Sequence, residues 1–245
     1  MDSLTAAAAS GMRARLESLD MLANNLANAA TAGYKADREA YGLYVAPEAL
    51  DPESPAPTVL PVIERQWTDF SQGQITTTGN PLDLALGKSG FFAVNTPGGA
   101  AYTRNGSFRL SASGKLETQD GHAVRLAGGG ELRADPSQSF DVASDGSVRQ
   151  GGAILGQLEI ADFDRPQELV KAGRNYLRPA GQVTARPARE VEVHQGKLEA
   201  SNVGTPETAV RLVSLMRQFE MLQKAISLGT EMGRRAIEEV ARPGA

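Results

Sequence analysis

His122 and His194 are the chain's two imidazoles, and they stand far apart in unlike contexts. Zinc sites and general-base pairs draw on histidines with a companion ligand or nucleophile a few residues away on the same turn or helix face. The two do not form a pair with ligand spacing, so a zinc site is not expected. Cysteine is absent, which removes thiolate ligands, thiol nucleophiles and disulfides together. Gly128-Gly129-Gly130 precedes no Lys-Ser/Thr pair and opens no helical pattern, so it reads as a turn and not as a phosphate cradle. Ser111-Ala112-Ser113-Gly114 falls in a hairpin-type turn with no histidine near it in sequence, and the Gly-x-Ser-x-Gly elbow is missing. Asp69, Asp83, Asp141 and Asp145 remain as candidates for a carboxylate pair. Isolated aspartates beside turns cap backbone amides far more often than they move protons. The expectation is a protein with no catalytic residues, no metal ligands and no cofactor.

The elements that would position any site divide the chain into unlike stretches. At 245 residues, 41% hydrophobic and 22% charged, it is large enough for a substantial core and too apolar for wholesale disorder. A net charge of −4 gives no basic footprint, so nucleic acid is not an expected partner. No apolar run approaches the ~20 residues that span a bilayer, so no stable membrane insertion by a helix is expected. The first residues lack a basic leader with an apolar core and a small-residue cleavage site, and no cleaved signal peptide is expected.

Residues 3–29 place Ala8, Met12, Leu19, Leu22 and Leu26 on one helical stripe, flanked by Leu4 and Leu16, with Gly33 able to end the element in a left-handed cap. From Val45 to Pro61, Pro47, Pro52, Pro55, Pro57 and Pro61 recur among acidic and small residues, the composition of a linker or extended arm. Between Glu64 and Pro187 the pattern is short strands broken by glycine. Leu82–Leu86, Phe91–Val94, Tyr102–Leu110, Lys115–Thr118, His122–Leu126, Glu131–Ala134, Phe140–Ala143 and Ile154–Phe163 are punctuated by turn signals such as Ser113-Gly114, Asp120-Gly121, Asp145-Gly146 and Gly151-Gly152. A largely antiparallel sandwich or barrel-like sheet is expected. Asn105-Gly106 reads either as a hairpin turn or as a bulge in one longer strand. Thr205-Pro206-Glu207 then starts a helix, with Thr205 as N-cap and Pro206 at the first helical position. Leu212, Leu215, Phe219, Leu222, Ile226, Gly229, Gly233, Ala236 and Val240 follow as a heptad seam without a charge. Gly229 and Gly233 would be tolerated where another helix approaches closely. The expected divisions are 1–44 (helix and joint), 45–64 (proline-rich arm), 65–189 (β-rich domain) and 190–245 (second joint and helix, packing with the first).

Several motifs carry a resemblance. Asn24-Asn25-Leu26-Ala27-Asn28 with Thr31-Ala32-Gly33-Tyr34-Lys35 resembles the N-terminal signature of the flagellar basal-body rod, hook and hook-associated protein family. Gly196-Lys197-Leu198-Glu199-Ala200-Ser201-Asn202-Val203, with Arg217-Gln218-Phe219-Glu220 in the following helix, is similar to that family's C-terminal signature. Gln72-Gly73, Thr78-Gly79-Asn80-Pro81-Leu82-Asp83-Leu84-Ala85, Gly90-Phe91-Phe92 and Tyr102-Thr103-Arg104-Asn105-Gly106-Ser107-Phe108 resemble its β-domain motifs. Two departures stand out: Ala32 occupies a place where many relatives have proline, and the 45–61 arm has no clear counterpart.

The resemblance implies an α+β fold in which N- and C-terminal helices pair as an α-helical coiled coil around an inserted, mainly antiparallel β domain. It implies a structural rod subunit, not an enzyme, that assembles axially with other copies and with neighbouring rod and hook proteins and transmits torque. The proximal rod type is favoured, with a distal rod or hook-type axial protein as the alternative. A secreted β-domain binding or adhesion module on a helical stalk is the alternative of another class. Export through the flagellar type III apparatus to the basal body, without a cleaved signal, is also implied. Asn24, Asn25, Leu26, Asn28, Gly33, Tyr34, Leu198, Glu199, Ser201, Asn202, Val203, Leu212, Leu215, Phe219, Glu220, Leu222 and Ile226 become the expected subunit-interaction residues. Their polar members carry donors and acceptors that can reach a neighbour's free backbone groups. Limited proteolysis of the dilute protein should leave a resistant fragment near residues 65–190. Termini as resistant as that fragment would count against the polymerising role given to them.

Overall fold

The computed structural model describes residues 3–45, 59–181 and 183–240, and side chains at 9–44, 62–181 and 183–235. In chain order the elements are α1 (Ser3–Ala27), β1 (Asp37–Val45), β2 (Val59–Thr68), β3 (Ile75–Thr77), β4 (Leu84–Leu86), β5 (Phe91–Thr96) and β6 (Gly99–Thr103). There follow β7 (Phe108–Leu110), β8 (Leu116–Thr118), β9 (Ala123–Val124), β10 (Phe140–Val142), β11 (Ser147–Gln150), β12 (Ala153–Gln157) and β13 (Ile160–Asp162). The chain ends with β14 (Leu169–Lys171), β15 (Leu177–Pro179), β16 (Arg186–Pro187), β17 (Val193–Gln195), β18 (Lys197–Glu199) and α2 (Thr205–Val240). Terminal helices thus flank a mainly antiparallel β region, as expected.

Two compact units result: Met1–Ala27 with Asp37–Trp67 and Gly204–Ala245, and Asn28–Ala36 with Thr68–Val203. The joint segments on either side of the helices belong to the β unit. The expected divisions grouped these joints with the helices; here the joints bond to each other and to residues 69–73, as in Asn202 N–H to the Tyr34 carbonyl and Lys35 Nζ to the Ser71 carbonyl.

In the helical unit α1 packs on α2, and β1 pairs with β2 as a two-stranded sheet. The expected arm at 45–64 therefore includes strand from Val59 onward. Pro47, Pro52, Pro55 and Pro57 lie outside the described residues. On α1 the most buried positions are Gly11, Ala14, Ser18, Leu22 and Asn25, while Leu16 is 46% exposed. The buried face of α1 is thus smaller-chained than the leucine stripe read from the sequence, and its Ser18 and Asn25 bond to Glu39 and Asp37 of β1. On α2 Leu215 is buried and Leu212, Phe219, Leu222 and Ile226 are half-buried on the same seam. The helix begins at Thr205, so Thr208 N–H reaches the Gly204 carbonyl at 2.9 Å and the cap falls one residue earlier than expected.

The β unit is centred on a sheet of order β14-β15-β6-β5-β9-β8-β7, with β13 and β16 attached through β5. Its path does not close into a barrel. The strand β5 explains its own sequence. Phe92 and Val94 point into one core with Leu84, Phe108, Leu116 and Val148, while Phe91 and Ala93 point into a second with Tyr102, Phe163 and Leu177. Side chains alternate faces along a strand, so a run that is apolar throughout is one buried on both faces. The Ser113-Gly114, Asp120-Gly121, Asp145-Gly146 and Gly151-Gly152 turns join β7–β8, β8–β9, β10–β11 and β11–β12.

Two strand expectations fail in instructive ways. The run Ile154–Phe163 divides, because β12 joins a three-stranded sheet with β10 and β11 whereas β13 pairs with β5. Asn105-Gly106 is neither hairpin nor bulge: β6 pairs with β5 and β15, β7 pairs with β8, and the dipeptide links strands that do not pair. Asn105 shapes this link by giving its N–H to Thr103 Oγ1 at 3.0 Å and accepting Ser107 N–H at 3.0 Å.

Phe92 is fully buried and meets the Phe108 ring edge-to-face at 5.2 Å between centroids. Replacing it by alanine should cost ~3–5 kcal/mol in chemical denaturation. A loss under ~1 kcal/mol would mean that the core is loosely packed at its centre.

Candidate functional site: a buried carboxylate joining distant segments

Glu199 ends β18, which pairs antiparallel with β3 through Lys197↔Thr77, Leu198↔Thr76 and Glu199↔Ile75. That pairing turns the Glu199 side chain into the protein, where it is 1% exposed. Its Oε1 accepts from Lys35 Nζ at 2.6 Å and from Gly73 N–H at 2.9 Å, and its Oε2 accepts from an Arg104 guanidinium nitrogen at 3.2 Å. Lys35 Nζ also donates to the Ser71 carbonyl at 2.6 Å. The Arg104 guanidinium lies 5.4 Å from the centre of the Phe91 ring. One carboxylate therefore gathers the segment after α1, the segment after β2, the end of β6 and the segment before α2.

The surroundings tighten the same junction. Gly33 N–H donates to the Glu199 backbone carbonyl at 2.7 Å, and Asn202 Oδ1 accepts Ala36 N–H at 2.7 Å. Asn202 Nδ2 donates to the Asp69 carbonyl at 2.7 Å. Tyr34 is 4% exposed, with Lys171 Nζ 3.1 Å from its hydroxyl and 4.2 Å from its ring centre. Two glycines are required by space. At Gly33, with φ of +66°, a Cβ would stand 2.2 Å from the Arg104 carbonyl carbon, and at Gly73 it would stand 1.9 Å from the Ala200 oxygen. The resemblance motifs thus meet in three dimensions around one charge.

Burial, the largest cause, lowers the pKa of Lys35, against the pull of Glu199; Arg104 is lowered likewise, again chiefly by burial. For Lys35 the sign is unfavourable to folding. Between the lowered folded pKa and the ordinary 10.5 the unfolded chain binds more protons, so this group's contribution to stability rises with pH across that window. Attraction to Glu199 offsets part of the cost of burying the charge. Such a centre contributes little net stability but is expensive to break, because losing one partner leaves a buried charge uncompensated.

Sequence reasoning assigned Glu199, Asn202, Gly33 and Tyr34 to contacts between copies. The structure turns them toward this chain's own segments, and it adds Lys35, Gly73, Arg104 and Lys171, which were not singled out as interaction residues. Asn25, 4% exposed, exchanges hydrogen bonds with the Asp37 backbone in the helical unit, at 2.8 Å from its amide nitrogen and 2.9 Å to its amide oxygen. Asn24 and Glu220 are exposed, and Leu26, Asn28, Leu198, Ser201 and Val203 are half-buried.

A second polar cluster supports the junction from β15. Tyr176 Oη lies 2.9 Å from both Thr118 Oγ1 and Asp120 Oδ2, and burial pushes its pKa up to about 12. Arg174, which bonds Asp120, and Asn175 take left-handed backbone angles of 41° and 68°, and Asn175 Nδ2 reaches the Ala32 carbonyl at 2.8 Å. That strain is offset by the bonds the turn makes. Among the described residues no group of three or more His, Asp or Glu is placed to hold a metal ion. A cleft of about 450 Å³ beside β13 and β16 includes Arg125 and Glu159, which pair with each other at 2.9 Å.

Three family models match the chain in order. Residues 6–35 match the flagella basal body rod protein model, residues 85–150 the flagellar hook protein FlgE/F/G D1 domain, and residues 194–239 the flagellar basal body rod FlgEFG protein C-terminal region. The chain is 34% identical over 227 residues to the flagellar basal-body rod protein FlgF of Caulobacter vibrioides, covering 91% of this chain and 92% of that protein. It is 32% identical to the FlgF of Mesorhizobium japonicum, over 82% and 83% of the two chains. It is 30% identical to the rod protein FlgG of Buchnera aphidicola subsp. Acyrthosiphon pisum, over 91% and 94%.

Replacing Glu199 by leucine should cost ~3–5 kcal/mol, since two buried cations lose their counter-charge, and the triple change Lys35→Met, Arg104→Met, Glu199→Leu should recover most of that loss. Urea denaturation of the three proteins measures it, and equal stability of the single variant and the parent would remove the centre from this account. The motifs gathered at Glu199, the matches along the chain and the relatives at full coverage agree: the chain belongs to the flagellar basal-body rod protein family of FlgF/FlgG type.

Proposed function

We propose that this chain is a structural subunit of the bacterial flagellar basal-body rod that assembles axially through its terminal helices and passes torque from motor to hook. The observation that carries the reading is the outer face of α2. Val210 is 72% exposed, Met221 62%, Leu228 59% and Met232 68%, and Val213 and Met216 are about half exposed. Ala209, Val210, Val213 and Met221 line an open apolar groove there with Arg217 and Gln218. A helix with one apolar seam turned to a partner helix and a second apolar face in water is suited to further helix contacts. At Gly229 and Gly233 an added Cβ would meet nothing within 4 Å among the described residues, leaving room for a helix of another copy.

On this reading α1 and α2 pair as a coiled coil, with Leu212, Leu215, Phe219, Leu222 and Ile226 as the seam. Asn24 and Glu220 are exposed on the helices, with Leu26, Asn28, Leu198, Ser201 and Val203 half-buried, and together they make up the remaining contact set. Tyr34, Glu199 and Asn202 then serve assembly indirectly, by fixing the joints. Neighbouring rod and hook proteins are the further partners, and the flagellar type III apparatus is the export route, without a cleaved signal. A proximal place in the rod is favoured, in keeping with the FlgF relatives at the higher identities; a distal or hook-type place is the alternative.

Deleting the gene and imaging basal bodies should show structures that stop within the rod and lack a hook. Complete, motile flagella in that strain would overturn the reading. Met221→Glu should leave the isolated protein's stability within ~0.5 kcal/mol of the parent yet fail to restore motility to the deletion strain.

A further inference from the structure

Glu39, in β1, is a carboxylate that the joint and the exposed face of α2 leave unexplained. Its side chain is fully buried in the helical unit. Oε2 lies 2.8 Å from Ser18 Oγ of α1, and Oε1 accepts from an Arg211 guanidinium nitrogen of α2 at 2.9 Å. Tyr41 Oη, which also contacts Ser18 Oγ, lies 2.8 Å from Oε1, and the Arg15 guanidinium sits 4.8 Å from the Tyr41 ring centre. Ser18 is 0% exposed, and its hydroxyl is 2.9 Å from the Ala14 carbonyl as well. Its single proton serves one acceptor at a time, so Glu39 depends on Arg211 for charge and on both hydroxyls for geometry.

The rest of the helix contact discriminates poorly between axial positions. The buried face of α1 is small, with Gly11, Ala14 and Ser18 in its first half. The α2 seam repeats apolar residues every heptad, from Leu212 through Ile226, so a slide by one heptad sets apolar on apolar again. Such a slide would take Glu39 from Ser18 or from Arg211 while it stayed buried, and an unpaired buried carboxylate is costly. We propose that Glu39 is the specificity-determining residue of the helix pair: it sets one register of α1 against α2 by bridging Ser18 and Arg211. The inference rests on the pairing of the two helices given above, and it adds which residue selects the register.

The chain's lack of cysteine makes the test direct. Leu19→Cys is combined, in the full chain at low concentration, with one cysteine at a time at Thr208, Leu212, Leu215, Phe219 or Leu222, and the intramolecular disulfide is measured on non-reducing gels. With Glu39 present, one α2 position should form the bond roughly tenfold faster than positions a heptad away; Glu39→Met should reduce that preference below roughly twofold while helicity is retained. Glu39→Gln, which keeps one acceptor oxygen for these hydroxyls but loses the charge pairing, should fall between, and it carries the test if the methionine variant does not fold. One sharp preference in all of the folded proteins would overturn the register role and leave the pairing intact. No disulfide at any position with Glu39 present would overturn the pairing itself, and the inference with it.

Discussion

A single carboxylate placed where water cannot reach it organises the β unit. Glu199 is held by Lys35, Gly73 and Arg104, residues separated from it by 164, 126 and 95 positions. None of these bonds forms unless chain segments from both ends and from the middle of the sequence are folded against one another. The arrangement is specific more than it is stabilising. Burying two cations and one anion returns little net free energy, but any arrangement that leaves one of them alone is heavily penalised. The Gly33–Glu199 backbone bond at 2.7 Å then holds the two joint segments side by side.

This suits the rod role proposed above, in which the terminal helices meet neighbours. Within the β unit, the buried ionic centre fixes the two joint segments against each other without large aromatic packing. The chain has little to spare for the latter, with aromatics at 5%. The helical unit uses the same device on a smaller scale, where Asn25 holds the Asp37 backbone and Glu39 sits between Ser18 and Arg211.

What could be read from the sequence was what repeats or turns. The heptads of α2 and the glycine turns between β7 and β12 follow from local periodicity and from backbone angles, both of which are written in adjacent residues. On α1 hydrophobicity is not burial: Leu16 is exposed while Gly11, Ala14 and Ser18 are buried, Ser18 through its bond to Glu39 of β1. Strands β14 to β18 were not anticipated one by one, since they are short and their pairing partners lie far back in the chain. The motifs hold Glu199, Lys35 and Arg104, yet nothing near Glu199 in sequence says that its partners are Lys35 and Arg104. Contacts of that separation are decided by the fold.

Native-state amide hydrogen exchange on the full chain tests the central claim most directly. The Gly33 and Gly73 amides, both bonded to Glu199, should exchange together with the core amides of β5 and with the same dependence on denaturant. Exchange of Gly33 and Gly73 at rates close to those of free amides, while β5 stays protected, would contradict it.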